Sequence, residues 1–253
     1  MLWYRSWLET RWRFLIGLAV LMCAAAGIVL LWPKVVELLP VASNLQVSGR
    51  IGKQIRESVE LQREYPSYIW SQWFGKNLTN MGTMFAALLG TGGLLSQRSG
   101  GLFMLSLPVS RKRLIWTQAA TGLAELFVLV LVPSLLIPLL SPAVGKSYGW
   151  GDVLVHSACF FVVVAVFFSL ASLLSTIFSD VWRPLLLAIA VASAMWYLEL
   201  FALPRPHYGI FRVMSAETWF RNGQLPWQGL LASAAASAAM LYGAAVSIIR
   251  RDF

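Results

Sequence analysis

The sequence predicts an all-α membrane protein, with six transmembrane helices in one domain that covers residues 1–253. Two properties of the composition support this fold class: 58% of the 253 residues are hydrophobic, whereas only 12% are charged. A soluble protein of this length needs more charged residues to cover its surface. The third observation is a series of apolar runs that reach the length of about 20 residues needed to cross a bilayer as a helix.

The distribution of positive charge indicates membrane topology and argues against nucleic acid as a partner. The formal net charge is +9, but the basic residues stand at the ends of apolar runs and do not alternate with aromatic residues. Six spans with both termini in the cytoplasm put most short-loop charges inside, which predicts a multi-pass protein of the plasma (inner) membrane. The inner charges are Arg5, Arg11, Arg13, Arg98, Arg111, Lys112, Arg113, Arg183, Arg250 and Arg251, opposed by Glu9, Asp180 and Asp252.

The N-terminal residues predict a helix that lies in the membrane interface. Aromatic residues gather on one side of its helical wheel, while Arg5, Glu9 and Arg13 follow one another at i, i+4 on the other side. The first span then runs from about residue 14 to 32. We expect Pro33 to mark its exit into an outer loop of mixed charge.

The second predicted span covers about residues 67–96 and carries polar residues in its outer half, among them Asn77 and Asn80. Polar side chains inside a span usually face the bundle interior or a wet cavity. Both asparagines are therefore candidates for a transport pathway. Ordinary hydrogen bonding between helices is the equal alternative.

The segment between the second and third spans, residues 97–118, holds a short apolar stretch between a glycine pair and a basic cluster. Gly100 and Gly101 interrupt the preceding apolar run, and Pro108 ends any helical turns that follow. The basic cluster of residues 111–113 then stands where a membrane helix leaves the cytoplasm. This pattern predicts a short exposed helix beneath the membrane.

These residues resemble the type-2 ATP-binding-cassette (ABC) exporter permeases, in which a coupling helix between the second and third spans docks into a separate ATPase subunit. The resemblance covers nearly the whole chain and is most specific in residues 100–114. The alternative interpretation is a cytoplasmic loop that simply follows the positive-inside rule. The predicted coupling helix contains Gly100, Gly101, Leu102, Phe103, Leu105, Leu107, Pro108, Ser110 and Arg111.

The third predicted span, about residues 114–140, contains the ionisable residue Glu125. Counted along its own helix, Glu125 falls near the membrane midplane, where an unpaired carboxylate costs at least about 2.5 kcal/mol. We therefore expect the side chain to be protonated, paired or hydrated, and count it among the candidate pathway residues.

The fourth and fifth predicted spans cover about residues 153–178 and 184–203. His156 lies near the outer end of the fourth, and Glu199 lies at a similar depth in the fifth. The two side chains are candidates for a pair in the transport pathway. A lone histidine in a membrane span is nevertheless more often a structural residue than a ligand.

The C-terminal part predicts one short helix followed by the sixth span. Residues 215–222, with Gly223 after them, have the pattern of a short capped helix. The last span, about residues 228–249, is rich in small residues that permit close approach of another helix. These small residues are Ala232, Ser233, Ala235, Ala236, Ser237, Ala239 and Gly243.

The resemblance implies the membrane subunit of an ATP-driven exporter for a lipophilic or amphipathic substrate. It also implies a second permease copy, identical or paralogous, and two copies of a separate ATPase that binds ATP and Mg. The chain has no glycine-rich loop ending in lysine. We therefore expect it to bind no cofactor and to have no enzyme activity, and its residue spacing predicts no metal site.

Two other functional classes compete with this interpretation. A proton-coupled secondary transporter would use Glu125 and Glu199 as carriers, but the sequence contains no visible inverted repeat. An intramembrane hydrolase needs converging catalytic groups, and His156 and His207 are the only histidines. The secondary transporter is the alternative that the sequence leaves open.

Overall fold

The computed structural model describes residues 2–43, 60, 62–91, 111–178, 180–202 and 209–249. Within these ranges the chain is helical and contains no strand. The predicted coupling-helix residues 100–110, and the side chain of Arg111, lie outside the described part. In the described part of the chain, five helices are long and apolar enough to cross a membrane: Thr10–Leu39, Trp116–Val144, Trp150–Ile177, Trp182–Leu200 and Trp227–Ser247.

The first helix, α1 (Leu2–Ser43), runs without a break through the residues predicted for the interfacial helix and for the first span. The prediction that Pro33 ends the span is wrong, because α1 continues for ten residues beyond it. Proline removes only one backbone donor, and a helix inside lipid remains the best way to satisfy the others. Trp3 and Tyr4 are 57% and 66% exposed, as residues at a membrane surface are expected to be.

The second predicted span corresponds to three consecutive helical elements, α2 (Tyr65–Ile69), π1 (Trp70–Asn77) and α3 (Leu78–Gly90). Side chains support the wide turns of π1. The Asn77 amide donates to the Gln72 carbonyl at 2.8 Å. Asn77 and Thr79, two of the polar residues that interrupt the hydropathy of this segment, thus bond within their own helix, since a carbonyl oxygen accepts more than one donor.

Four longer helices match the remaining predicted spans in order and nearly in their boundaries. Each begins within a few residues of the expected position because apolar runs and their charged ends are local features of the sequence. They are α4 (Arg111–Leu140), continued by the 3-10 turn Ser141–Val144; α5 (Trp150–Ile177); α6 (Trp182–Tyr197), continued by π2 (Leu198–Ala202); and α9 (Trp227–Ile249).

Two short helices, α7 (Ile210–Met214) and α8 (Glu217–Asn222), lie between α6 and α9. The prediction of a short helix ending at Gly223 is confirmed, although it begins at Glu217. Gly223 has a φ of 66° and donates its backbone N–H to the Trp219 carbonyl. Glycine adopts this left-handed conformation at little cost, which is why it ends the helix here.

Helix α5 is the central helix of the bundle. It contacts α3, α4, α6, α7 and α9, and 61% of its membrane window is buried, compared with 22% for α1, α6 and α9. Glycines let two neighbours approach it closely. A Cβ on Gly90 of α3 would lie 2.5 Å from the Phe168 carbonyl oxygen, and one on Gly122 of α4 would lie 2.7 Å from the Phe168 ring.

The last helix, α9, packs against α5 through only one of its two small-residue faces. The Ser237 and Ser169 hydroxyl groups hydrogen bond at 2.6 Å, and Ser233 and Ser237 are both buried. The expectation of close packing is therefore confirmed for the serine face alone. The alanines on the other face are exposed, namely Ala232, Ala235, Ala236 and Ala239.

One end of the bundle, which we call the terminal end, holds the start of α1 and the end of α9. Arg13 of α1 donates to the Leu88 carbonyl near the end of α3 at 3.3 Å. Thr176 near the end of α5 donates to Ser247 of α9 at 3.4 Å. Because α3 also closes on α5 through Gly90, the ends of these four helices lie together.

Candidate functional site

A cleft of about 580 Å³ separates α3 from α6 and extends to α7. Three polar residues of α3, Thr79, Asn80 and Thr83, line one wall. Their spacing of three and four residues places them along one side of the helix. The facing wall is mainly apolar and aromatic: Ile189, Ala192, Ser193, Trp196 and Tyr197 of α6, with Phe211 of α7.

The structure brings one of the two candidate asparagines into this cleft. Asn80 is exposed there, whereas Asn77 bonds to the carbonyl of Gln72 on its own helix. The hydroxyl of Thr83 donates to the Thr79 carbonyl at 2.6 Å. Within the described ranges, Asn80 is therefore the polar residue of this wall whose side chain is exposed to the cleft.

Glu125 lies away from the cleft, between α4 and α1. Its side chain is 5% exposed. Its Oε1 accepts a hydrogen bond of 2.5 Å from the Thr10 hydroxyl, and its Oε2 has no hydrogen-bond partner within the described ranges. The buried carboxyl group thus joins the beginning of α1 to α4.

The position of Glu125 along the bundle differs from the expectation. Thr10, its partner, is the first residue of the first candidate membrane span, so Glu125 lies level with the start of that span and not with its middle. Helix α4 begins at Arg111, about 21 Å before Glu125. The difference arises because α4 is displaced along its axis relative to α1. The sequence of α4 alone does not predict this displacement.

His156 and Glu199 bind different parts of the segment that contains α7, and no hydrogen bond joins them. The His156 Nδ1–H donates to the Ser215 carbonyl at 3.2 Å, with the ring 1% exposed. The Glu199 carboxylate accepts the backbone N–H groups of Phe211 and Arg212 at 3.1 and 3.2 Å. Both side chains therefore fix the backbone of this segment, which is a structural role.

Segment 209–223, which contains α7 and α8, forms a cap over the end of the bundle opposite the terminal end. The Ser215 carbonyl accepts two donors there, because Trp70 Nε1–H also donates to it at 2.9 Å. The Trp70 and Phe220 rings stack with centroids 4.5 Å apart. Sequence analysis missed Trp70 and Ser215, because no local pattern marks partners so far apart in the chain.

The first turn of α5 anchors the same cap. Trp219 Nε1–H of α8 donates to Asp152 at 3.3 Å. Burial, followed by the nearby Asp152 carboxylate, raises the pKa of the Tyr148 phenol, which therefore stays neutral. The hydrogen bond from Trp219 to Asp152 ties the start of α5 to the cap.

No family model, curated protein or solved structure matches this chain. In the part of the chain that the structure describes, no group of three or more His, Cys, Asp and Glu side chains is arranged to hold a metal ion. The functional proposal therefore depends on the architecture, the cleft and the motif in residues 100–114.

Proposed function

We propose that the chain is the transmembrane permease subunit of an ATP-driven ABC exporter that moves a lipophilic or amphipathic substrate. The observation that carries this proposal is the motif in residues 100–114, which resembles the coupling helix of type-2 permeases. The architecture supports it. The chain leaves α3 at the terminal end of the bundle, the same end that holds the start of α1 and the end of α9.

The segment Tyr65–Gly90, second in chain order, brings the proposed number of spanning helices from five to six. As a continuous helix it reaches on the order of 35 Å, enough for the hydrocarbon layer of about 30 Å. Its polar residues lower its hydropathy, but their side chains bond mainly within the helix. The proposed topology puts the terminal end in the cytoplasm of a plasma (inner) membrane, as the positive-inside rule favours.

The cleft between α3 and α6 is the proposed substrate path within each subunit. Its walls combine apolar and aromatic surface with a few polar groups, the combination that suits an amphipathic ligand. Asn80 is the polar residue best placed to contact substrate. The bonds made by Glu125, His156 and Glu199 favour structural roles for these three, although all were sequence candidates for the pathway.

The proposed assembly contains a second permease copy, identical or paralogous, and two copies of a separate ATPase. ATP and Mg bind to that ATPase, because this chain lacks a glycine-rich loop ending in lysine. Energy then reaches the permease through the proposed coupling helix, with Leu102 and Phe103 as apolar anchors, since a few apolar residues dominate small interfaces.

A proton-coupled secondary transporter is the second candidate function, and one observation favours it. The Oε2 atom of Glu125 is buried without a hydrogen-bond partner in the described part of the chain, and buried carboxyl groups in spans often carry protons. Glu199, the other carrier of that proposal, is bound by two backbone amides.

Purification of the wild-type chain with its associated proteins tests the proposal. We expect an ATPase to co-purify and transport to stop when ATP hydrolysis is inhibited. Leu102→Glu and Phe103→Glu should abolish ATPase association while the chain still inserts, and Ala143→Glu, an exposed site at the opposite end, is the matched control. Normal association and coupling in both 102 and 103 variants would exclude the docking assignment. Transport that stops with a protonophore and needs no ATPase would favour the secondary transporter.

A further inference from the structure

One side of α4 carries a row of buried polar residues in its first half. Thr117, Thr121 and Glu125 follow one another at intervals of four residues and are 8%, 7% and 5% exposed, so they lie along one side of the helix. The Thr121 hydroxyl donates to the Thr117 carbonyl at 2.8 Å. The row therefore runs from the first turns of α4 to the carboxyl group of Glu125.

The Glu125 carboxyl group is enclosed by protein and bonds to α1. The Thr10 hydroxyl, on a residue that is itself 6% exposed, donates to Oε1 at 2.5 Å. In the part of the chain that the structure describes, Oε2 has no hydrogen-bond partner and the side chain forms no ion pair. Glu217 of the cap is different, because its carboxylate pairs with Arg212 and Arg221.

The ionisable residues of the neighbouring helices have other partners or lie elsewhere. On α1, Arg13 donates to the Leu88 carbonyl of α3, and Arg11 stands over the Trp12 ring. The side chain of Glu9, also on α1, lies outside the described part. Helix α3 contains no ionisable residue. The remaining groups lie in the first turns of α5 or on the exposed side of α9: Asp152, His156 and Cys159 on α5, and Tyr242 on α9.

Burial of a charge without a counter-ion costs far more than burial of a neutral acid with one unused donor. We propose that Glu125 is protonated in the folded bundle, and that the contact between α1 and α4 is a joint that loosens when this proton is lost. Glu125 lies level with Thr10, the first residue of the first span. The joint therefore exchanges protons with the terminal side of the membrane alone, whereas the carrier of a secondary transporter needs access to both sides.

The direction of the pH dependence follows from proton linkage. The folded chain holds a proton on Glu125 that the unfolded chain releases to water, so the folded state binds more protons. Its stability then falls as the pH rises, until Glu125 is ionised in the folded bundle as well. The unfolding equilibrium constant increases by up to about tenfold per pH unit in that range. Glu125→Gln has no proton to lose and should not show this fall.

Two measurements on the full chain in detergent test the joint. The infrared difference spectrum of wild type minus Glu125→Gln at neutral pH should show the carbonyl stretch of a protonated carboxyl group. Thr10→Val should shift that band, because it removes the hydrogen bond to Oε1. The melting temperature should fall from mildly acidic to alkaline pH in wild type and in the control Glu217→Gln, but not in Glu125→Gln.

Three outcomes would overturn the proposal: a carboxylate band for Glu125, a protonated band that Thr10→Val leaves unmoved, or equal pH dependence of melting in wild type and Glu125→Gln. If Glu125→Gln does not fold, the spectrum of wild type minus Thr10→Val still shows whether the affected group is protonated. Neither measurement uses ATP or a substrate, so the result is independent of the proposed transport function.

Discussion

At the scale of single residues, the structure gives the ionisable side chains partners that the sequence does not reveal. Glu125 binds Thr10 across 115 positions of sequence, and Glu199 binds the backbone at the start of α7. Glu125 accepts a hydrogen bond from a buried hydroxyl group, and Glu199 accepts two from backbone N–H groups. These residues therefore join separate helices, and their substitution should affect stability first.

Substitution of Glu125 separates a structural role from a transport role. Glu125→Gln retains an acceptor for the Thr10 hydroxyl, so we expect near wild-type melting and unchanged transport. Glu125→Leu removes the hydrogen bond that joins α1 to α4, and this loss should cost about 0.5–1.5 kcal/mol. Thermal unfolding in detergent and transport by the reconstituted protein measure the two effects. Altered transport by a stably assembled Glu125→Gln protein would instead place the carboxyl group in the transport pathway.

Gly209 is predicted to be intolerant of even a methyl group. A Cβ there would overlap the Glu199 carboxylate, so Gly209→Ala must displace the side chain that holds the start of α7. We expect a loss of about 1–3 kcal/mol, the usual cost of overpacking. Gly151→Ala is the control, since nothing lies within 4 Å of the position that its Cβ would take. Equal melting temperatures of the two variants would refute the tight contact.

At the scale of elements, the two sides of α9 lie in different environments. Its serine face bonds to α5 through Ser237 and Ser169, while the alanines on its other face are exposed. The sequence shows a helix rich in small residues but not which of its sides meets α5. The structure decides this by the rotation of α9 about its own axis.

Two neighbouring substitutions test that rotation. Ser237→Leu inserts a large side chain against α5 and should destabilise the protein by about 1–3 kcal/mol. Ala236→Leu places the same side chain on the exposed side of α9 and should be tolerated, which reverses the expectation from sequence that Ala236 packs tightly. Thermal unfolding of both variants in one detergent compares them. Destabilisation by Ala236→Leu equal to that by Ser237→Leu would contradict the observed packing.

At the scale of the whole molecule, the proposed topology puts the terminal end in the cytoplasm. Arg183, in the first turn of α6, and Ala143, in the 3-10 turn after α4, are both exposed. They mark opposite ends of the bundle, because α4 ends at Ser141–Val144 and α5 ends at Ile177 beside the end of α9. The side of the membrane from which each residue is accessible therefore reports the orientation of the bundle.

Cysteine labelling in intact cells measures this topology. In a chain with Cys23 and Cys159 replaced by alanine, Ala143→Cys should react with a membrane-impermeant thiol reagent added outside. Arg183→Cys should react only after the cells are permeabilised. The opposite pattern would invert the topology and remove residues 100–114 from the cytoplasm, and with them the proposed site of ATPase docking.

The sequence alone determined the class of the protein and the approximate bounds of its long helices. Apolar length, charged ends and the glycine at position 223 are local properties, and each acts over one helix or one turn. Position 33 is the local exception, since the other backbone bonds of α1 keep the helix intact through a proline.

Only the tertiary structure decided how the helices are rotated and displaced relative to one another. The rotation and the axial displacement of the helices place Asn80 in a cleft, Asn77 outside it, and Glu125 beside Thr10. They depend on contacts such as Gly90 against Phe168, between residues far apart in the chain. Hydrophobic periodicity identifies a helix and its apolar side, but close packing against neighbours fixes its depth and its partners.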